Sequence, residues 1–310
     1  MILRNLGRSG LQVSLVGLGC NNFGQRLNLD GSRAVIHKAL DCGITLFDTA
    51  DVYGGRGGSE TVLGQVLGDR RKDIVLASKF GMAMDEGEKR GASRRYIMAA
   101  VEASLKRLKT DWIDLYQQHR HDPLTPIDET LRALDDLVRQ GKVRYIGNSN
   151  FTAAQTVEAQ LTARQLSLGA FVSCQDEYSL LRRGLDRENL GVMERYGLGL
   201  LPYFPLASGL LTGKHRRGGE TAGTRLAMST FSSVLTEANF AIVEKLEAFA
   251  KARGHTMLEL AFSWLAARPT VGSIIAGATK PEQIEANVKA AEWALGPDDL
   301  AEIDRITEKN

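Results

Sequence analysis

LFDTADVYG (Leu46–Gly54) is the stretch on which the reading of this chain turns. An apolar pair, Leu46-Phe47, runs into a carboxylate, Asp48, and then into a polar loop that carries a phenol, Tyr53. A short buried strand that ends in polar residues is how a parallel sheet delivers side chains to one edge. Outward from this stretch the pattern repeats. We place strands at 15–19, 45–48, 73–79, 113–119, 143–148, 171–175, 198–203 and 273–276. Amphipathic stripes lie between them. Ile97, Val101, Leu105 and Leu108 follow Ser93, an N-cap residue. Leu131, Leu134 and Val138 follow Pro126, and Gly141 ends that helix where a positive φ is needed. Phe240, Val243, Leu246 and Ala250, then Leu258, Phe262 and Leu265, form two later stripes. Most strand starts are about 30 residues apart, the length of one βαβ crossover. Eight such units predict an α/β fold, a (β/α)8 TIM barrel, read as one domain over 1–310. The residues before the first barrel strand are expected to form a hairpin that closes the barrel floor. The longer interval after the seventh strand holds an insertion, 207–235, and two helices.

Composition narrows the function. In 310 residues, 39 basic side chains face 37 acidic ones, a formal charge of +2. No net field is available to attract a nucleic acid or a membrane surface, so we expect neither as a partner. Cys20, Cys42 and Cys174 are widely spaced and fit neither a CxxC nor a zinc pattern, so they read as reduced thiols. The opening MILRNLGRSG has no apolar stretch of signal-peptide length, and the longest uncharged window, 196–213, is broken by Pro202, Pro205 and four glycines. A cytoplasmic protein is expected.

In a barrel the chemistry sits at the C-terminal ends of the strands. Three successive strands deliver Asp48 with Tyr53, Lys79 and His119 to that rim. A free phenol has a pKa near 10, too high for easy proton exchange at neutral pH. A neighbouring ammonium favours the phenolate and should lower it. A carboxylate holds the ammonium in place, and an imidazole donates a hydrogen bond to a carbonyl oxygen. Together they form a proton donor for an oxygen that becomes negative in the transition state. The reaction that needs this is carbonyl reduction by hydride, which no side chain supplies, so a nicotinamide cofactor is implied. Two other chemistries use the same residues. One is a Schiff-base aldolase on Lys79, which Asp48 opposes by stabilising the ammonium. The other is a metal-dependent hydrolase on Asp48, His119 and His121.

LFDTADVYG, together with LASK (Leu76–Lys79) and LYQQH (Leu115–His119), resembles the aldo-keto reductase family. VRYIGNSNF (Val143–Phe151), FVSCQDEYSLL (Phe171–Leu181), YFPLASGLLTGK (Tyr203–Lys214) and IIAGATKPEQIEAN (Ile274–Asn287) extend the likeness over nearly the whole chain. The resemblance implies that Tyr53 is the general acid, that Lys79 and Asp48 tune it and that His119 positions the carbonyl of a small-molecule substrate. It implies NADPH/NADP+ in preference to NADH, extended across the barrel mouth. Ser149, Asn150 and Gln175 would meet the carboxamide, and Tyr203 would stack on the nicotinamide. Thr279, Lys280, Gln283 and Asn287 would take the adenosine ribose and 2′-phosphate, with Lys214 and Arg225 clamping the phosphates. Gly19, Cys20 and Asn21 after the first strand, Asp48 itself, Phe204, Pro205, Leu206 and Ser208 after the seventh, and Gly277 after the eighth would be further cofactor positions. No G-x-G-x-x-G occurs: Asn22 follows Gly17 and Gly19 where a third glycine belongs, so a Rossmann domain is not supported. Instead, a helix opens after the eighth strand, with Thr279 and Glu282 spaced as a capping box and Pro281 in its first turn. Its free N–H groups favour an anion. Phe204, Ala286 and Cys20-Asn21-Asn22 depart from the common pattern of the family. Because the family also contains cofactor-binding β-subunits of potassium channels, a regulatory role stands beside the enzymatic one.

Overall fold

The computed structural model describes residues 1–85, 90–215, 217–219, 226 and 232–308. A hairpin comes first. Strand β1 (Leu3–Asn5) pairs antiparallel with β2 (Gln12–Ser14). Eight parallel strands follow: β3 (Val16–Gly19), β4 (Leu46–Asp48), β5 (Val75–Phe80), β6 (Ile113–Gln118), β7 (Val143–Ser149), β8 (Ser173–Gln175), β9 (Gly199–Leu200) and β10 (Ile274–Gly277). They are ordered β10-β3-β4-β5-β6-β7-β8-β9. Parallel bridges Leu200–Val271 and Tyr203–Ile275 join the two ends, so the sheet closes into the expected (β/α)8 barrel. The seventh strand is shorter than its apolar run. Pro202 and Pro205 flank Tyr203, and a proline has no N–H to give to a ladder. Only Gly199–Leu200 is regular, and Tyr203 pairs by isolated bridges with Glu177 and Ile275.

The helices that cover the barrel are α1 (Leu29–Asp41), a single turn α2 (Tyr53–Arg56), α3 (Gly58–Val66), α4 (Arg94–Leu108), α5 (Ile127–Arg139), α6 (Ala153–Gln165), α7 (Asn189–Tyr196), α8 (Glu237–Ala252), α9 (Met257–Ala266), α10 (Pro281–Lys289) and α11 (Pro297–Thr307). Ser93 caps α4 by accepting from Tyr96 N, and Gly141 takes φ 76° just after α5. Two apolar layers result. The larger lies between strands and helices, with Phe47, Ile97, Leu134 and Trp264 buried in it. The smaller fills the barrel: Leu6 and Val13 of the hairpin pack with Leu46, Ala77, Leu115, Leu201 and Ile275. The hairpin thus plugs the N-terminal end, as expected, and pushes any cavity to the other. Inside the barrel Gly17 makes room for neighbours; a Cβ there would lie 2.8 Å from Ser273 Oγ. Among the described residues no helix is long and apolar enough to cross a membrane.

Candidate active site

Asp48 ends β4, Lys79 lies near the end of β5, and His119 follows β6 directly. Register sets them side by side: Asp48 lies opposite Ala77, and Lys79 opposite Gln117. Lys79 is fully buried, and its Nζ donates to Asp48 Oδ2 at 2.7 Å and to Thr49 O at 3.0 Å. The Tyr53 hydroxyl is 3.5 Å from the same nitrogen. Tyr53 reaches this point from α2, where Gly54 (φ +69) runs so close to Phe23 O and Ser59 N that a side chain would collide with both. The His119 ring stands edge-on to Tyr53, with centroids 5.6 Å apart. Carboxylate, ammonium, phenol and imidazole therefore converge in one corner.

Burial sets the charges. Desolvation drags on the Lys79 ammonium, but Asp48 and Tyr53 together outweigh it and raise its pKa above the usual lysine value. That opposes a Schiff base, which needs a neutral amine. Burial, with the Lys79 charge beside it, pushes His119 well below its ordinary value, so the ring is neutral. Tyr53 departs from expectation. Its pKa lies above the ordinary phenol value, because the cost of burying a phenolate, with Asp48 close by, exceeds what Lys79 returns. The phenol is therefore held protonated.

A cavity of about 550 Å³ opens over this corner at the C-terminal end of the barrel. Asp48, Tyr53 and His119 line it, with Lys79 beneath. So do Gly19, Cys20 and Asn21 after β3, Ser149 and Asn150 after β7, and Gln175 at the end of β8. Tyr203 to Leu206 and Ser208 form the next wall, with Lys214 beyond them. Gly277, Thr279, Gln283 and Asn287 close the far end at α10. Gln175 Nε2 donates to Asp48 Oδ1 at 2.8 Å, while Ser149 Oγ donates to Gln175 O at 2.7 Å. Tyr203 hydroxyl donates to Asn150 Oδ1 at 2.8 Å, so its ring is fixed against the wall. The chain after it is strained: Phe204, Ala207 and Ser208 all have positive φ. Phe204 turns its ring edge-on to Tyr203.

The capping box expected after the eighth strand needs correction. Glu282 does not cap α10. Gln283 Oε1 takes the Thr279 N–H at 2.7 Å and the Lys280 N–H at 3.3 Å, because a side chain in the third helical position folds back onto both. Lys280 is exposed and outside the cavity lining. Arg225 lies outside the described residues. His121 packs edge-on to Phe151 rather than joining His119. Among the described residues no three His, Cys, Asp or Glu side chains cluster as metal ligands would. Cys20 lines the cavity, yet burial raises its thiol pKa far above the usual value, which makes it a poor nucleophile.

Other residues were not foreseen. Gln117 is fully buried and donates to Asp48 Oδ1 at 3.3 Å. Strand alternation pointed to it, since residues 117 and 119 share a face. Arg26, Met82, Arg120, Thr212, His215 and Leu258 also line the cavity, with Arg120 close enough to His119 to act on its charge. Nothing in their local sequence marks these positions.

The donor set suits a nicotinamide dinucleotide. Side-chain amides and a hydroxyl lie near the reactive corner, an aromatic face stands in the middle, and a helix N-terminus with Lys214 lies at the far end. Gln283 Oε1 already accepts the Thr279 and Lys280 N–H groups just before α10, the role a phosphate oxygen takes at such a site. The chain is 37% identical over 299 residues to a probable voltage-gated potassium channel subunit beta of Oryza sativa subsp. japonica, covering 94% of this chain and 91% of that one. It is 35% identical over 325 residues to the L-glyceraldehyde 3-phosphate reductase of Escherichia coli (strain K12), covering 98% and 92%. An uncharacterized oxidoreductase of Bacillus subtilis (strain 168) is 37% identical over 312 residues, covering 97% and 94%. The model of the aldo/keto reductase family matches residues 15–308, and the chain belongs to that family.

Proposed function

We propose that the protein is an NADPH-dependent reductase of aldehyde or ketone carbonyls, acting in the cytoplasm. The observation that carries this reading is the Lys79 ammonium, held between Asp48 Oδ2 at 2.7 Å and the Tyr53 hydroxyl at 3.5 Å on a cavity wall shared with His119. Ser149, Asn150 and Gln175 would hold the carboxamide end of the dinucleotide, with Tyr203 against its ring. Thr279, Gln283, Asn287 and Lys214 would hold its phosphates. When bound, the dinucleotide supplies hydride to the carbonyl carbon. The protein does the rest. Neutral His119 donates a hydrogen bond to the carbonyl oxygen and orients it without adding charge. Tyr53, kept protonated by its burial, gives its proton to that oxygen as negative charge develops there. Lys79 stabilises the phenolate left behind, and Asp48 keeps Lys79 charged and in place.

The substrate end favours an anionic carbonyl compound. Arg26 and Arg120 both line the cavity, and neither forms an ion pair among the described residues. Among the described residues the one lining carboxylate, Asp48, is already bound to Lys79. The name of the Escherichia coli relative, a reductase of a phosphorylated aldehyde, fits this field.

Oxidation of NADPH by the purified protein with a panel of neutral and anionic aldehydes tests the reading. Turnover supports it. NADPH binding without turnover on any of them supports instead the regulatory role that the rice relative's name favours.

A further inference from the structure

Asp176 is a buried carboxylate next to the site that the proposed reaction leaves without a task. It follows β8 and is 5% exposed. Its Oδ1 accepts the Asn150 N–H at 2.9 Å, a shorter contact than the 3.2 Å from the same N–H to Gln175 O, while its buried Oδ2 has no partner. Its backbone carbonyl accepts the Tyr203 N–H at 3.0 Å. Asn150 has φ 58°, in the left-handed region that a non-glycine residue adopts only when its surroundings hold it there. From that position the Asn150 amide makes three hydrogen bonds. Nδ2 donates to His119 O at 3.0 Å and to Ser149 Oγ at 2.9 Å, and Oδ1 accepts from the Tyr203 hydroxyl at 2.8 Å.

We propose that Asp176 is a positioning residue: it pins the Asn150 backbone in this turn, and the Asn150 amide then braces His119 on the substrate side to Tyr203 on the cofactor side. The chain of contacts runs through four strand ends, β6 to β9. It rests on the reductase reading only for the identity of the ligand. Burying a carboxylate with a free oxygen is costly, so a space-filling apolar residue would serve better if packing were the whole role.

The brace should respond to pH. Burial raises Asp176 to about 7, opposed only by the Asn150 N–H. The groups around it give no counter-charge. Cys174 beside it on β8 carries a thiol raised by burial and by Asp176 itself. Tyr203, from the β9 side, is raised to about 12 by burial, then by Glu177 and Asp176, with Arg120 acting against them. Asn150 is uncharged. As pH rises through about 7 the carboxyl becomes a carboxylate, which accepts the Asn150 N–H more strongly. The turn is therefore held more firmly above that pH than below it.

The test compares wild type with Asp176→Asn, which keeps an acceptor but no charge, and Asp176→Leu, which fills space without one. NADPH dissociation constants, read from intrinsic fluorescence, and the imidazole resonances of His119 in cofactor-free protein are followed across neutral pH. In Asp176→Leu, NADPH binding should weaken about tenfold and the His119 resonances should shift, roughly what one lost hydrogen bond carries. In Asp176→Asn, binding should stay within about threefold of wild type but lose the wild-type step near pH 7. Asp176→Leu matching Asp176→Asn in both readouts would overturn the proposal, as would wild-type and Asp176→Asn pH profiles that superimpose. Failure of wild type itself to bind NADPH would instead count against the reductase reading, with the His119 resonances still deciding the role of Asp176.

Discussion

The two ends of the cavity are built on opposite plans. At the ends of β4, β5 and β6, charged groups are buried and answer one another: Lys79 is 0% exposed and pairs with Asp48, which also accepts from Gln117 and Gln175. At β9 and α10 the wall is half open, held by a strained turn at Phe204, Ala207 and Ser208 and by Gln283 folding onto its own helix. The first end is rigid before any ligand arrives, as proton transfer in a fixed geometry requires. The second has polar groups that exchange one acceptor for another, which suits reversible binding of a long anionic molecule. Substitutions at the first end should therefore act on stability and turnover, and those at the second on affinity.

The largest effect is expected from Lys79→Met, which leaves the Asp48 carboxylate buried without its ammonium. Chemical denaturation should show a loss of about 3–5 kcal/mol. An unchanged midpoint would mean that this corner is wetter and looser than the contacts imply. Next come Arg26→Ala and Arg120→Ala. Each should raise KM about tenfold for an anionic aldehyde, the weight of a charge-assisted hydrogen bond, and leave a neutral one unaffected. Equal effects on both substrates would remove the anionic preference. Gln283→Ala removes the acceptor on the first turn of α10, at about 1 kcal/mol of stability, and should weaken NADPH more than NADH with kcat unchanged. A fall in kcat instead would blur the division between the two ends. The smallest effect is an absence. His119 is held well below its ordinary value and Tyr53 above the ordinary phenol value, so the ring is neutral and the phenol protonated. With substrate and NADPH both saturating and Asp176 replaced by Asn, the rate of reduction should thus be flat between about pH 6 and 9. A limb near pH 6.5 would place a charged imidazole in the mechanism.

The same contrast explains what the sequence made legible. The corner was readable because strand ends fix where side chains go: Asp48, Lys79 and His119 terminate apolar runs, and the fold aligns those ends. The barrel and its hairpin plug followed from pattern alone. Gln117 went unseen because a polar residue within a strand looks like an outward-facing one unless its alternation with His119 is counted. The far rim was harder. Glu282 and Gln283 differ by one position, and which of them caps α10 depends on how a flexible side chain folds back. The left-handed Phe204 and Ser208 carry no sequence mark, since glycine is the usual signal for positive φ. Even the shift of Tyr53 came out with the wrong sign, because neighbouring charges are visible in a sequence and depth of burial is not.

The central claim is that Asp48, Lys79 and Tyr53 act as one proton-donating unit. Single-turnover rates of carbonyl reduction in wild type, Asp48→Asn, Tyr53→Phe and the double variant test it directly, with NADPH binding titrated in each. Tyr53→Phe should lower the rate about 10²–10⁴-fold with NADPH still bound. Asp48→Asn should lower the wild-type rate about tenfold or more, yet change nothing further once Tyr53 is phenylalanine, because groups that work as a unit are not additive. Losses that multiply in the double variant, or a Tyr53→Phe protein as fast as wild type, would contradict the account.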